Sequence, residues 1–357
     1  MDGDIASAGI AAAGPSMAGL ATISGTRHVF DCIDGHTAGN PVRLVVDGKP
    51  PLRDAGMSER RQQFLSEYDW IRSGLMFEPR GHDMMSGGFF YPPQSADADV
   101  GILFIETSGC LPMCGHGTIG LVTFGLEYGH IVPKTPGQLV VEVPAGTLRI
   151  DYAMDAGRVR SVKIRNVPSY LAIRDLAIEV PDFGPLTVDV AYGGNYYAIV
   201  EPQGAYTGLD ALGAARIVEL SRTIRAIVRD TVEPVHPLDP TIRGVSHVLW
   251  ADAPTAGDAH GRNAVFYGER AIDRSPCGTG TSARMAQLAA RGRLSVGDTY
   301  VHESYIRSRF IGRVEATTTL GEHDAIVPSI EGSAYATGFN RLWIDDNEPF
   351  PTGFVVV

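Results

Sequence analysis

The spacing of apolar residues changes along the chain, and each change predicts an element. Val162 and Ile164 alternate with charged neighbours, so 158–165 reads as a half-buried strand. Apolar or alternating runs at 29–46, 100–105, 139–143, 147–152, 187–200, 245–251 and 263–267 predict further strands. The first is split by a turn at Asp34–Pro41, and the run at 187–200 is interrupted by Gly193-Gly194, which suggests a bulge or a close approach. Helical spacing appears at 58–73, with Ser58 as N-cap and Gly74 as stop, and at 209–228, where Ile217, Leu220, Ile224 and Ile227 form one stripe. Two other helical segments differ. Thr118–Tyr128 is apolar nearly all round despite Gly120 and Gly125, and Ser282–Arg291 is rich in alanine. A helix apolar on every side is buried, and glycines inside it, each costing about 1 kcal/mol against alanine, predict a sheet packed close around it. Strands, one buried helix, then strands occur twice. This order predicts an α+β fold built as two similar halves.

With 357 residues the chain is long enough for two domains, each with its own core. A formal net charge of −11 excludes electrostatic attraction to nucleic acid or anionic membranes. Four cysteines are too few for a disulfide scaffold and predict a reduced, cytoplasmic setting. Residues 1–26 lack any Lys or Arg and read as a flexible N-terminal extension, not a signal peptide. Thr107–Leu126 is uncharged over 20 residues, but Pro112, His116, two cysteines and five glycines argue against a membrane span.

The chemistry concentrates in a repeat. Cys114-Gly115-His116-Gly117-Thr118 and Cys277-Gly278-Thr279-Gly280-Thr281 share the pattern Cys-Gly-x-Gly-Thr, 163 residues apart. Each precedes a predicted buried helix, so each thiol sits where unpaired N–H groups and the helix dipole favour an anion and lower a thiol pKa. Two equivalent thiols suit proton exchange at a stereocentre, one on each face. Core filling by free cysteines does not explain the repeat. A cysteine hydrolase needs one nucleophile with a histidine base, not two equivalent thiols. Cys110, Cys114 and His116 form Cys-x3-Cys-x-His, yet the second knuckle of a structural zinc site is missing. His116 is placed to touch substrate or tune the thiol, and Asp273 to take a substrate's amino group. His36, Arg80 and Glu303 are weaker candidates. There is no phosphate loop or dinucleotide fingerprint, so no cofactor is expected.

Met113–Gly120 and Asp273–Ala283 resemble the proline racemase family, supported by His36–Gly39, Glu78–His82, Tyr192–Tyr197, Glu303-Ser304 and the tail from Gly338 to Phe354. That family includes 4-hydroxyproline 2-epimerases and trans-3-hydroxyproline dehydratases. The resemblance implies a diaminopimelate-epimerase-like fold of two pseudo-symmetric domains, 27–157 plus 331–357 and 158–330, with the site between them. It implies Cys114 and Cys277 as the two acid/bases. Gly115, His116, Asp273, Gly278 and Thr279 would bind a small imino acid. It also implies a homodimer and no metal. Dehydratases of the family carry Thr at the position of Cys277, so Cys277 favours epimerisation or racemisation. Asn40 stands where Glu is expected, which weakens any role for the loop at 36–41. Tyr267, where proline racemases carry Phe, favours 4-hydroxyproline over proline, its phenol offering a hydrogen bond to the ring hydroxyl. Proline racemase and dehydratase activities are the alternatives, and a non-catalytic amino-acid-binding protein is the reading from another class.

Overall fold

The computed structural model describes residues 27–356, so the expectation for residues 1–26 lies outside the described residues. The described chain opens with a hairpin of β1 (Arg27–Thr37) and β2 (Asn40–Asp47), then α1 (Met57–Glu67) and α2 (Asp69–Met76). Next come β3 (Ser86–Tyr91), β4 (Val100–Glu106), α3 (Gly115–Glu127), β5 (Gln138–Val143), β6 (Gly146–Asp155) and β7 (Arg158–Arg165). In this stretch β2 runs parallel to β3, β3 antiparallel to β4, and β4 parallel to β5, which continues antiparallel into β6 and β7.

The second stretch starts with β8 (Ser169–Val180), β9 (Gly184–Tyr192), β10 (Tyr196–Val200), α4 (Leu209–Thr231) and β11 (Val245–Asp252). It goes on through β12 (Gly261–Tyr267), β13 (Ala271–Ile272), α5 (Gly278–Ala290), β14 (Thr299–Glu303), β15 (Arg309–Leu320) and β16 (His323–Gly332). Here β10 is parallel to β11, β11 antiparallel to β12, and β12 parallel to β14, followed by antiparallel β15 and β16. β17 (Ala334–Asp345) returns to pair with β1, and β7 pairs with both β6 and β16. The architecture is α+β and dominated by its sheet.

Both central helices are buried as expected. Every residue from Gly115 to Gly125 and from Gly278 to Leu288 is buried. A Cβ on Gly120 would lie 2.9 Å from Thr37 Oγ1, and one on Gly125 2.7 Å from Ile131 Cδ1, so these glycines let neighbouring elements approach the helix. Four details differ from the sequence reading. The helix expected at 58–73 is two helices broken at Tyr68, whose φ of −131° is not helical. Its N-cap is Gly56, not Ser58. Gly74 lies inside α2, where Ile344 packs against it too closely for a side chain. The expected helix at 209–228 extends to Thr231 and is interrupted at Gly213, with φ 71° and ψ 161°. The pair Gly193-Gly194 makes the expected close approach rather than a bulge. It turns β9 into β10, and a Cβ on Gly193 would lie 2.2 Å from the carbonyl oxygen of Thr279.

Candidate active site

The two cysteines cap the two buried helices. Cys114 is the N-cap of α3, in extended backbone at φ −139°, and its Sγ accepts a hydrogen bond from the Gly117 N–H at 3.3 Å. Cys277 is the N-cap of α5 at φ 62°, a left-handed conformation that a non-glycine residue holds only under strain of about 1–3 kcal/mol. The helix starts meet head-on. A Cβ on Gly115 would lie 2.6 Å from Gly278 Cα, and one on Gly278 2.7 Å from Gly115 Cα. First-turn N–H groups have no intrahelical acceptor, so the junction gathers donors from both helices.

Gly115, His116, Asp273, Gly278 and Thr279 all lie at this junction. His116 Nε2 is 2.8 Å from Ser86 Oγ and 3.0 Å from Asn40 Nδ2, while Nδ1 is 3.6 Å from both Cys114 Sγ and Asp273 Oδ2. Asp273 is buried and accepts from the backbone N–H and hydroxyl of Ser275 at 2.7 and 2.8 Å. Thr279 Oγ1 is 2.5 Å from the Tyr197 hydroxyl, which is 3.3 Å from Cys277 Sγ. Asn195 joins the two cysteine loops, donating to the Met113 carbonyl at 2.7 Å and to Thr279 Oγ1 at 3.3 Å.

The partners to which sequence reasoning gave no role are Glu106, Asn40, Tyr197, Asn195 and Ser86. Cys114 Sγ donates to Glu106 Oε1 at 3.1 Å. A legible signal existed for Glu106: it is the single carboxylate ending an otherwise apolar strand, eight residues before Cys114. Asn40 is fully buried. It reaches His116, the Tyr267 hydroxyl at 3.3 Å, and the Arg274 N–H, which donates to its Oδ1 at 3.0 Å. The loop at 36–41 thus belongs to the site, although Asn replaces the expected Glu. The Tyr267 hydroxyl donates to the Met84 carbonyl at 2.7 Å, so in this arrangement it offers a ligand an acceptor rather than a proton. Cys110 sits in a separate apolar cluster. Glu106, not Cys110, joins Cys114 and His116, the three donor atoms lying within 4.8 Å of one another.

The weaker candidates hold the scaffold. His36 accepts from Gly39 N–H and lies against Tyr335. Arg80 grips Glu348 and the carbonyls of Gly74, Phe350 and Pro351. Glu303 accepts from the Thr255 N–H and hydroxyl.

Burial reverses the expected thiol chemistry. Cys114 and Cys277 are only 3% and 5% exposed, and desolvation pushes both thiols well above their ordinary pKa. Glu106 raises Cys114 further, and Asp273 raises Cys277. The N–H groups of Gly117 and Gly280 act in the opposite direction, as helix starts should, but burial outweighs them. Burial also raises Glu106 and Asp273, with His116 opposing in each case. His247, whose ring lies 4.7 Å from that of Tyr197 and is tilted 30° to it, is pushed down to about 3, chiefly by burial. In this closed arrangement both sulfurs rest as thiols.

Residues 32–355 match the proline racemase family. The chain belongs to the proline racemase family. Like other members of the family it is an enzyme, an isomerase. This racemase-family chain is 58% identical over 328 residues to 4-hydroxyproline 2-epimerase of Shewanella loihica, covering 92% of this chain and 98% of the relative. It is also 58% identical over 332 residues to 4-hydroxyproline 2-epimerase of Paracoccus denitrificans, covering 93% and 99%. The fold superimposes on a hydroxyproline epimerase from Agrobacterium vitis with bound trans-4-hydroxy-L-proline. The TM-score is 0.86 at 27% identity, over 92% of this chain and 95% of that one. A phenazine biosynthesis protein of the PhzF family from Bacillus anthracis shares the fold at a TM-score of 0.56 and 15% identity, over 88% and 99% of the two chains. Among the described residues no helix is long and apolar enough to cross a membrane.

Proposed function

We propose that this enzyme interconverts trans-4-hydroxy-L-proline and cis-4-hydroxy-D-proline, with Cys114 and Cys277 moving the α-proton and no cofactor taking part. The observation that carries the reading is the head-on contact of two cysteine-capped helix starts. An α-carbon held there would have one sulfur on each face. The thiolate of one cysteine removes the proton, and the thiol of the other delivers one to the opposite face. Charge building on the substrate carboxylate is received by first-turn N–H groups at Gly115, His116, Gly278 and Thr279. In other enzymes one well-aimed donor of this kind contributes about 2.7–4 kcal/mol to the transition state. Asp273 takes the ring ammonium. The substrate is supported by the relatives' activity, by the ligand of the A. vitis epimerase, and by Tyr267.

The two stretches of chain act as pseudo-symmetric halves, 27–157 plus 331–357 and 158–330, with the seam at β7. Their parallel pairings β2–β3 with β4–β5, and β10–β11 with β12–β14, support this division. The family pattern supports a homodimer, and the four free cysteines support a reduced, cytoplasmic setting.

The test is a panel of trans-4-hydroxy-L-proline, L-proline and trans-3-hydroxy-L-proline, read by chiral chromatography and NMR. The 4-hydroxy compound turns over fastest, and Cys114→Ser and Cys277→Ser each abolish turnover. Faster turnover of L-proline makes the enzyme a proline racemase. Release of a cyclic imine from the 3-hydroxy compound alone makes it a dehydratase.

A further inference from the structure

The two cysteines share a motif but not their surroundings. Cys114 donates to Glu106 Oε1 at 3.1 Å, and Glu106 Oε2 accepts from Ser108 Oγ at 2.7 Å. Ser108 is only half-buried and lines a cavity of about 250 Å3 whose wall includes Arg61, Thr241 and Arg243. Thr241 and Arg243 are exposed, so this cavity reaches solvent. Among the described residues no Lys or Arg forms an ion pair with the buried Glu106 carboxylate, which can therefore hold a proton. Cys277 has no such outlet through its partners. Tyr197 and Thr279 are buried and bonded to each other, and Asp273, the carboxylate that meets the Cys277 thiol, is buried and bonded to Ser275, which is fully buried where Ser108 is not.

A two-base epimerisation leaves its thiols exchanged. The base has gained a proton and the acid has lost one, so another turnover in the same direction requires both to trade protons with solvent. We propose that Glu106 and Ser108 form a proton path between Cys114 and the cavity behind it, so that Cys114 exchanges with solvent while substrate is bound and Cys277 does not. This rests on the two-cysteine epimerase reading. In the outward step the Cys114 S–H bond breaks and an O–H bond forms on Glu106, giving a thiolate and a neutral carboxyl. The carboxyl then turns to present this proton to Ser108 Oγ, and the Ser108 hydroxyl, turned away from Glu106, passes its own proton to water in the cavity. The inward step returns a solvent proton by the same atoms, with no net change in the protein.

The experiment runs the reaction in D2O from each epimer to low conversion and measures deuterium in product and in recovered substrate. Product is deuterated in both directions. Recovered substrate gains deuterium at least fivefold faster for the epimer whose proton goes to Cys114 than for the other. Glu106→Gln keeps the shape but cannot carry a proton, and the asymmetry falls to within twofold of parity. Ser108→Ala, which leaves Cys114 and Glu106 in place, lowers labelling of recovered substrate while product labelling persists. A merely structural role for Glu106 would slow both directions without moving this ratio. Deuterated product with equally labelled recovered substrates in the wild type overturns the path. So does asymmetry retained in Glu106→Gln, or, should that variant fail to fold, unchanged labelling in Ser108→Ala. Product free of deuterium instead rejects the two-cysteine reading beneath it.

Discussion

Gly115→Ala is the sharpest perturbation of the junction between the helix starts. The new Cβ would lie 2.6 Å from Gly278 Cα, 3.1 Å from Gly278 C and 3.2 Å from Thr279 N. All three are backbone atoms, so no side-chain rotation relieves the clash. Carbon–carbon contacts are comfortable from about 3.5 Å, so the helix starts must part by about 1 Å. Both thiols and the first-turn donors ride on those starts. A misplacement of about 1 Å in an active site can lower the rate about 100-fold, equivalent to about 2.7 kcal/mol in the barrier. Overpacking of this kind costs a further 1–3 kcal/mol, roughly, in stability. The assay is kcat/KM for trans-4-hydroxy-L-proline beside thermal unfolding, with Gly278→Ala as the reciprocal variant. Gly338→Ala is the control, because a Cβ there meets nothing within 4 Å and its φ is not positive. Gly115→Ala with kcat/KM within about threefold of wild type and an unchanged Tm would refute the claim that this contact sets the sulfur positions.

The remaining expectations are narrower. Because burial raises both thiols and the base must be a thiolate, kcat/KM rises with pH to a midpoint above the usual cysteine pKa of about 8.5; a flat profile from pH 7 to 9 contradicts this. Asn40→Ala removes the groups that meet His116, Tyr267 and Arg274, and leaving such buried partners unpaired costs about 1–3 kcal/mol, read as a lower Tm and about tenfold lower kcat/KM. Unchanged values would make Asn40 a bystander. Tyr267→Phe lowers the preference for trans-4-hydroxy-L-proline over L-proline by about threefold to tenfold, the worth of one hydrogen bond; an unchanged ratio would leave the hydroxyl with only its Met84 contact.

The sequence made visible whatever is local. The Cys-Gly repeats mark helix starts because capping is decided within one turn, and apolar residues on all faces of 118–128 mark a buried helix because periodicity is a property of a single segment. What the sequence hid comes from distant pairings. Asn40 meets Tyr267 across 227 positions, and Tyr197 meets Cys277 across 80. Neither spacing carries a periodic signal. The expected depression of the thiol pKa failed for the same reason. The helix start is local and acts in the expected direction, whereas desolvation depends on how completely the other elements cover the sulfur. The break at Tyr68 likewise has no local marker, since no glycine or proline stands there.

The raised thiols bear on how the reaction begins. Glu106, Asp273 and Cys114 are acidic groups buried around His116, and Cys277 is buried beside Asp273. Ionising them all would gather negative charge in a desolvated space, so without a ligand the cluster keeps protons. In the binding mode proposed above, a proline-like substrate would bring a ring ammonium next to Asp273 and a carboxylate against the first-turn N–H groups. The ammonium favours ionised Asp273 and offsets its repulsion of a Cys277 thiolate, while the donors that receive the carboxylate are those that receive the transition-state charge. On the proposed mechanism, substrate therefore supplies part of the field that creates its own base. Thiolate formation would then be tied to an occupied site, which would restrain the chemistry of two reactive sulfurs when the site is empty.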